Sequence, residues 1–194
     1  MKFVLATFNR DKARELEALL ALPGLTLAPV ADFAGATSPD ETGSTLLENA
    51  RIKASAALAL TGLPSLADDT GLEVDALGGA PGVHAARFAG PGATYDDNVT
   101  LLLSRLNGVP AAQRTARFRT AMVAIFPDGR ELRAEGVLEG VIVEGRRGSH
   151  GFGYDPIFAL GDGRTLAEID DAEKNRISHR AKAAESLSKL LVSL

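Results

Sequence analysis

Ser65-Leu-Ala-Asp-Asp-Thr-Gly-Leu-Glu-Val-Asp75 is the stretch on which the fold turns. An apolar lead-in delivers two adjacent carboxylates, Asp68 and Asp69, to Thr70-Gly71, which reads as a strand ending in a turn. Ligands of α/β proteins collect outside the carboxyl ends of strands, so acids at a strand end mark a candidate site. Two neighbouring carboxylates repel and ask for a cation, a shared proton or solvent. If the cation is Mg²⁺, the ligand carries phosphate. The other reading is a polar strand end that caps a turn.

Upstream, Lys2 to Thr7 reads as a short buried strand, and Asn9 caps a helix over Arg10 to Ala21 with Ala13, Leu16, Leu19 and Leu20 on one face. Leu25 to Val30 reads as a second strand, and Ala31 to Gly43 as a polar loop. A helix over Ser44 to Thr61 follows, with Leu46, Leu47, Ala50, Ala54 and Leu58 at helical spacing. Downstream, Gly78-Gly-Ala-Pro-Gly82 reads as a loop. Thr94 to Leu106 reads as a helix whose first turn carries Asp96 and Asp97, matching its dipole. Thr115 to Phe126 and Arg130 to Glu144 flank Pro127-Asp-Gly129, a hairpin signal. Gly145 to Gly153 is a basic, glycine-rich loop, and Thr165-Leu-Ala-Glu168 fits a capping box. One helix, Ala172 to Leu194, closes the chain. Strands alternating with helices, then a hairpin, predict an α/β fold with a mixed sheet and no linker. The hairpin half can form a second lobe, leaving a cleft.

Composition narrows the function classes. The 194 residues suit a single domain over residues 1–194, with 45% apolar and 24% charged residues. A formal net charge of −4 gives no support for a nucleic-acid partner. There is no cysteine and there are three scattered histidines, which argues against zinc. No apolar run reaches the roughly 18 residues of a membrane span, so a cytoplasmic protein with no membrane partner is expected.

Four further segments can carry chemistry. Thr7-Phe-Asn-Arg-Asp-Lys12 joins the first strand to the first helix; unpaired N–H groups and a first-turn lysine there suit phosphate, or form an ordinary capped loop. It is not a Walker A loop, because no Gly-Lys-Ser/Thr occurs. Asp40-Glu-Thr-Gly43 offers acids that could join Asp69 on a metal, or remain solvated. Gly148-Ser-His-Gly-Phe-Gly-Tyr-Asp-Pro156 combines glycines with Phe152 and Tyr154, faces on which a base can stack, or an aromatic-anchored loop. In Glu173-Lys-Asn-Arg-Ile-Ser-His-Arg180, Lys174 with Ser178, and Arg176 with His179 and Arg180, lie at helical spacing; solvated cations are the plainer reading. His150 reads as a loop histidine and His84 as a packing residue.

In this order the segments resemble the noncanonical purine nucleoside triphosphate pyrophosphatases, the family that includes inosine triphosphatase. The matching pieces are Thr7-x-Asn9-x-x-Lys12, Glu41-Thr-Gly43 with Glu48-Asn-Ala50, and Ala67-Asp-Asp-Thr-Gly-Leu72. Ala76-Leu-Gly-Gly-Ala-Pro-Gly82, Phe152-Gly-Tyr-Asp-Pro-Ile-Phe158, and Glu173-Lys174 with Ser178-His-Arg180 complete them. The resemblance implies an elongated mixed β-sheet flanked by helices, in two lobes with a central nucleotide-binding cleft. It implies Mg²⁺-dependent hydrolysis of ITP, dITP and XTP to monophosphate and pyrophosphate by a homodimer. By position, Asp69 becomes the water-activating base and a metal ligand, with Glu41 or neighbouring Asp40 completing the acidic shell. Thr7, Phe8, Asn9, Arg10, Asp11 and Lys12, with Lys174, would hold the triphosphate. Thr70 would touch nucleotide, and Phe152, Gly153, Tyr154 and Asp155, with His179 and Arg180, would enclose the base. Asp68 receives no role.

One position departs from the family's Thr-Gly-Asn: Phe8 stands where glycine is usual. Glycine enters positive φ freely and phenylalanine does not. Either φ is negative there anyway, or the phosphate contacts of residues 8–11 differ. The remaining alternatives are a nucleotide-binding module without turnover and a pyrophosphatase for a modified pyrimidine triphosphate.

Overall fold

Lys2–Leu5 (β1) pairs in parallel with Thr26–Pro29 (β2), Phe3 opposite Leu27 and Val4 opposite Ala28. It also pairs in parallel with Ser65–Val74 (β3), Leu5 opposite Leu66. The computed structural model describes residues 1–193. The other strands are Pro81–Gly82 (β4), Thr115–Ile125 (β5), Glu131–Ile142 (β6) and Phe158–Ala159 (β7). Among the described residues the sheet order is β2-β1-β3-β5-β6-β7, with β4 antiparallel to β3 off that path. Because β7 is antiparallel to β6, the sheet is mixed. The helices are Arg10–Leu19 (α1), Leu46–Thr61 (α2), Tyr95–Arg105 (α3), Asp171–Ile177 (α4) and His179–Val192 (α5), giving the α/β class expected.

The chain divides into two compact units. The first comprises Met1–Asp69, Thr120–Gly136 and the segment that starts at His179; the second comprises Thr70–Arg119 and Val137–Ser178. In the first unit Phe3, Val4 and Leu5 of β1 and Ser65, Leu66, Ala67, Asp68 and Asp69 of β3 are all buried, since both faces of the sheet are covered. Successive residues of a strand point to opposite faces. Leu66 therefore packs with Phe3, Leu5, Leu16, Leu20 and Leu187, on the side of α1 and α5. Ala67 packs with Val4, Ala6, Ala50 and Ala54, on the side of α2. Gly136 in β6 lets α5 come close: a Cβ there would stand 2.1 Å from the His179 carbonyl oxygen. In the second unit Leu72 and Val74 of β3 join Val99 and Leu102 of α3, with Phe118, Leu138, Ile142, Ile157 and Phe158.

The helix starts follow side-chain chemistry. Asn9 Oδ1 accepts from the Asp11 and Lys12 amides and opens α1. Thr45 and Glu48 form a capping box that opens α2, so Ser44 lies outside the helix. Gly62, at φ 67°, closes it. Thr94 and Asp97 do the same for α3.

Several expectations need correction. Thr70-Gly71 is not a turn: β3 continues through both residues to Val74, so Asp68 and Asp69 sit in mid-strand. Buried Leu72 and Val74 supply the apolar reason to stay extended. Their parallel neighbour β1 nonetheless ends opposite Leu66, so the acids lie just beyond its carboxyl end. The Gly78–Gly82 loop contains strand β4, with Pro81 opposite Glu73. The final helix is two helices, broken at Ser178, whose ψ of 160° is extended. That break cancels the helical spacing read across Lys174 to Arg180. Leu194, the expected end of that helix, lies outside the described residues.

Candidate active site

Alternation along β3 sends the two adjacent acids to opposite layers. Asp68 shares the Leu66 face, toward α1 and α5, and Asp69 shares the Ala67 face, toward α2. Both are buried, at 1% and 5% exposure. Their mutual repulsion is met by separate cations on the two faces.

On the α2 face, Lys53 Nζ stands 2.8 Å from Asp69 Oδ1 and 3.1 Å from Glu41 Oε1. Asn49, one helical turn before Lys53, donates from Nδ2 to Asp69 Oδ2 at 3.3 Å. Its Oδ1 accepts the Gly43 amide at 2.9 Å, which ties the Glu41 loop to the helix. Gly43 is required there on space alone, since a Cβ would lie 2.6 Å from Glu48 Cβ and 2.7 Å from Asn49 Oδ1. Burial pushes the Asp69 carboxyl above the ordinary aspartate value, and the nearby lysines only partly offset it. Burial opposes the charge on Lys53, but Asp69, Asp68 and Glu41 together raise its pKa.

On the opposite face, Asp68 Oδ2 lies 3.5 Å from Lys12 Nζ and 3.2 Å from Arg180 Nε. Arg180 Nη1 also pairs with Glu15, one turn after Lys12 on α1. Burial alone would raise the Asp68 pKa; Lys12, Arg180 and Lys53 outweigh it and hold the carboxyl far below its usual range. Burial lowers the Lys12 pKa, with Asp68 opposing. His179 Nδ1 is 2.6 Å from Thr120 Oγ1 and is likewise buried.

The strand-to-helix loop is ordered by its own polar atoms. Thr7 Oγ1 accepts the Asn9 amide at 3.2 Å, and Asn9 caps α1 as expected. No non-glycine residue among those described has positive φ, so Phe8 takes an ordinary backbone conformation, and the residue is 43% exposed. Arg10 is exposed, and Asp11 pairs with Arg14.

The second unit carries its own polar cluster. Lys174 Nζ donates to Asp155 Oδ2 at 2.6 Å, both side chains only 4% exposed. The same oxygen accepts the Phe152 amide at 2.9 Å. Lys174 also sits 4.8 Å from the Phe152 ring centroid, a cation–π contact. Tyr95 of α3 packs on that ring at 5.7 Å. Gly151, at φ +70°, admits this geometry, because a Cβ would lie 2.1 Å from Asp155 Oδ2. Tyr154 is buried with its hydroxyl donating to the Ala85 carbonyl, so its ring is a core element and not an open stacking face. Gly153 has positive φ, and Thr70 is half-buried.

Among the expected residues, Asp69 and Glu41 converge on one cation, Lys12 and Arg180 on Asp68, and Phe152, Asp155 and Lys174 on one another. Asp40 is exposed and, among the described residues, makes no ion pair; Glu41 is the acid that reaches Lys53. The solvated reading of the last segment holds for exposed Arg176 and fails for Lys174 and Arg180, which are buried. His84, expected to pack, is exposed, and His150 is an exposed loop residue. Lys53, Glu15, Thr120 and Tyr95 escaped the sequence reading, and Asn49, within the matching piece Glu48-Asn-Ala50, received no role there. The signal for Asn49 and Lys53 was present: two polar residues four apart, each beside a core alanine, Ala50 and Ala54.

A family model described as the Ham1 family matches residues 3–190. A protein of Methylococcus capsulatus named dITP/XTP pyrophosphatase is 50% identical over 196 residues, spanning 100% of this chain and 97% of that protein. A protein of the same name from Symbiobacterium thermophilum is 52% identical, spanning 94% of this chain and 90% of its own. The solved structure of a Ham1 protein from Coxiella burnetii superposes with a TM-score of 0.90 at 41% identity, covering 100% of both chains.

Proposed function

Because the chain belongs to the Ham1 family, we propose that it hydrolyses noncanonical purine nucleoside triphosphates, dITP, XTP and ITP, to the monophosphate and pyrophosphate. Its relatives carry the name dITP/XTP pyrophosphatase over nearly their whole length, which supports the reaction class. The observation that carries the reading is the pair of carboxylates, Asp69 and Glu41, focused on a single cationic nitrogen.

The pairing of Lys53 Nζ with both carboxylates supports a shared cation position. The donor set suits Mg²⁺, which takes one or two protein carboxylates and leaves its other positions to water and phosphate oxygens. Among the described residues no group of three or more acidic, histidine or cysteine side chains gathers on one point. Asp69 and Glu41 would hold the metal, which supplies charge neutralisation at the phosphates and a lowered pKa of bound water.

Asp69 is also the proton acceptor for the water that attacks the α-phosphorus. Its pKa, raised by burial, brings it closer to the working range of a general base. Lys12 and Lys53 offset charge on the departing pyrophosphate by electrostatics, with no covalent intermediate. The Phe152 ring, held by Lys174 and Tyr95, takes the base. A fixed N–H donor at the purine 6-position donates to the oxo group of hypoxanthine and xanthine and clashes with the amino group of adenine. Such mismatches discriminate by about 10⁴-fold. Among the described residues no helix is long and apolar enough to cross a membrane. We assign a cytoplasmic homodimer, checked by light scattering at twice the chain mass.

Pyrophosphate release from ITP, dITP, XTP, GTP and ATP, with Mg²⁺ and with chelator, tests the proposal. Loss of about 10²-fold or more is expected for Asp69→Asn and for chelation, with Asp40→Asn near the unmodified rate. Equal rates on ATP and ITP would sink the specificity, and full activity of Asp69→Asn would sink the base.

A further inference from the structure

We propose that Tyr95 is a second stacking wall for the substrate base, paired with the Phe152 ring. This rests on the pyrophosphatase reading above. Lys174 Nζ lies over the Phe152 ring, 4.8 Å from its centroid, and that ammonium is buried against Asp155. The Phe152 amide donates to the same Asp155 carboxylate, which fixes the backbone that carries the ring. Tyr95 stands on the solvent side of this cluster. Its ring centroid is 5.7 Å from that of Phe152, the two planes are inclined by 36°, and the residue is 41% exposed. Rings so placed form an open wedge and not a parallel stack. A base has two faces to cover, and a wedge of two aromatic rings with one wall at the surface is shaped to take it.

Both walls are carried on an ordered backbone. Tyr95 is the first residue of α3, whose start is closed by the Thr94–Asp97 capping box. Arg146 adds hydrogen bonds to Asp96 Oδ1 at 2.7 Å and Thr100 Oγ1 at 2.8 Å. A tyrosine on such a support has only two χ angles to order, so it supplies contact area at small entropic cost. Stacking tolerates every base, because every base has a π-face. Tyr95 therefore adds affinity for whatever carries a base. It adds nothing for pyrophosphate, which has none, and no choice between ITP and ATP.

The chain supplies its own reporter. It has no tryptophan and two tyrosines, Tyr95 and Tyr154. Tyr154 is buried, with its hydroxyl on the Ala85 carbonyl, so tyrosine fluorescence that responds to a base is that of Tyr95. Inosine monophosphate is expected to quench the unmodified protein. Tyr95→Phe should abolish the quench and keep the calorimetric affinity within about twofold, since the stacking ring remains. Tyr95→Ala should weaken monophosphate binding and raise KM for ITP about 5- to 100-fold, the loss of one stacked ring. Its kcat, its pyrophosphate binding and its ratio of kcat/KM for ITP over ATP should stay within about twofold.

Unchanged monophosphate affinity in Tyr95→Ala overturns the inference. Equal weakening of monophosphate and pyrophosphate overturns it as well, because the substitution has then disturbed the start of α3 and not a stacking wall. A Tyr95→Phe protein whose ITP to ATP ratio falls about tenfold or more also overturns it, since the hydroxyl then reads the base edge. Monophosphate binding requires no turnover, so these outcomes stand even if the unmodified protein is inactive on ITP, which would overturn the function separately.

Discussion

At the scale of single residues, the adjacent acids of β3 show how far a two-letter motif can be read. Their chemistry as a cation site was legible, and their separation was not. Strand alternation places Asp68 and Asp69 on opposite faces, and only the helices packed on each face reveal which cation each one meets. Phe8 is the converse case, an anomaly in the sequence that the backbone dissolves. With no positive φ to relieve and the residue exposed, Phe8→Gly should leave KM for ITP within about twofold while lowering stability by at most about 1 kcal/mol through chain entropy. A tenfold change in KM would show that the ring contributes to phosphate binding. Lys53 carries a larger stake. Removing it as Lys53→Met strands two partly desolvated carboxylates, at a cost of about 3–5 kcal/mol. Mg²⁺ should then restore more melting temperature to the variant than it adds to the unmodified protein. Equal metal-induced shifts in the two proteins would mean that the metal does not replace the ammonium.

At the scale of elements, caps and periodicity located most helices and strands, because both are local properties of the chain. Asn9, Thr45 and Thr94 each open a helix by the side-chain bond their type predicts. Long-range packing set what the sequence did not show. The extended Ser178 that divides α4 from α5 falls where the chain passes from one unit to the other, and no glycine or proline announces it. Likewise, Lys53 was hidden inside an alanine-rich helix, and its partners Glu41 and Asp69 lie in the loop before it and the strand after it. The orientation of α2 is itself pinned by Arg51, which forks onto Glu131 of β6 at 3.0 to 3.2 Å. The Arg51 hydrogen bonds, followed by Arg133, hold the Glu131 carboxyl below its ordinary value of 4.5. A depressed folded-state pKa means that the stabilisation is complete above that ordinary value and is lost as pH falls through the folded one. Both side chains are partly exposed, so Glu131→Gln should cost only about 0.5–1 kcal/mol at pH 7. Denaturant melts should show the two proteins converging as the pH drops below about 4. A gap that persists in acid would assign the effect to packing.

At the scale of the whole molecule, net charge frames what the site must overcome. The chain carries −4, and a triphosphate brings about four more negative charges. The described ion-pair cluster of the first unit does not by itself reverse that sign. Lys12, Lys53 and Arg180 face Glu15, Glu41, Asp68 and Asp69, so the cluster as a set holds one net negative charge. One divalent cation turns the same set positive. Triphosphate and metal binding are therefore thermodynamically linked, each strengthening the other by the same factor. The linkage is measurable without catalysis. A non-hydrolysable ITP analogue at about 100 times its dissociation constant should stabilise the Mg²⁺-loaded protein by about 2.7 kcal/mol, which for a chain of this length is a melting shift of roughly 5–11 °C. In chelator the same analogue concentration should give little shift. Reciprocally, the analogue should tighten Mg²⁺ binding in a calorimetric titration. An undiminished shift in chelator would mean that the lysines alone neutralise the triphosphate, and that Asp69 and Glu41 meet Lys53 and not a metal when substrate binds.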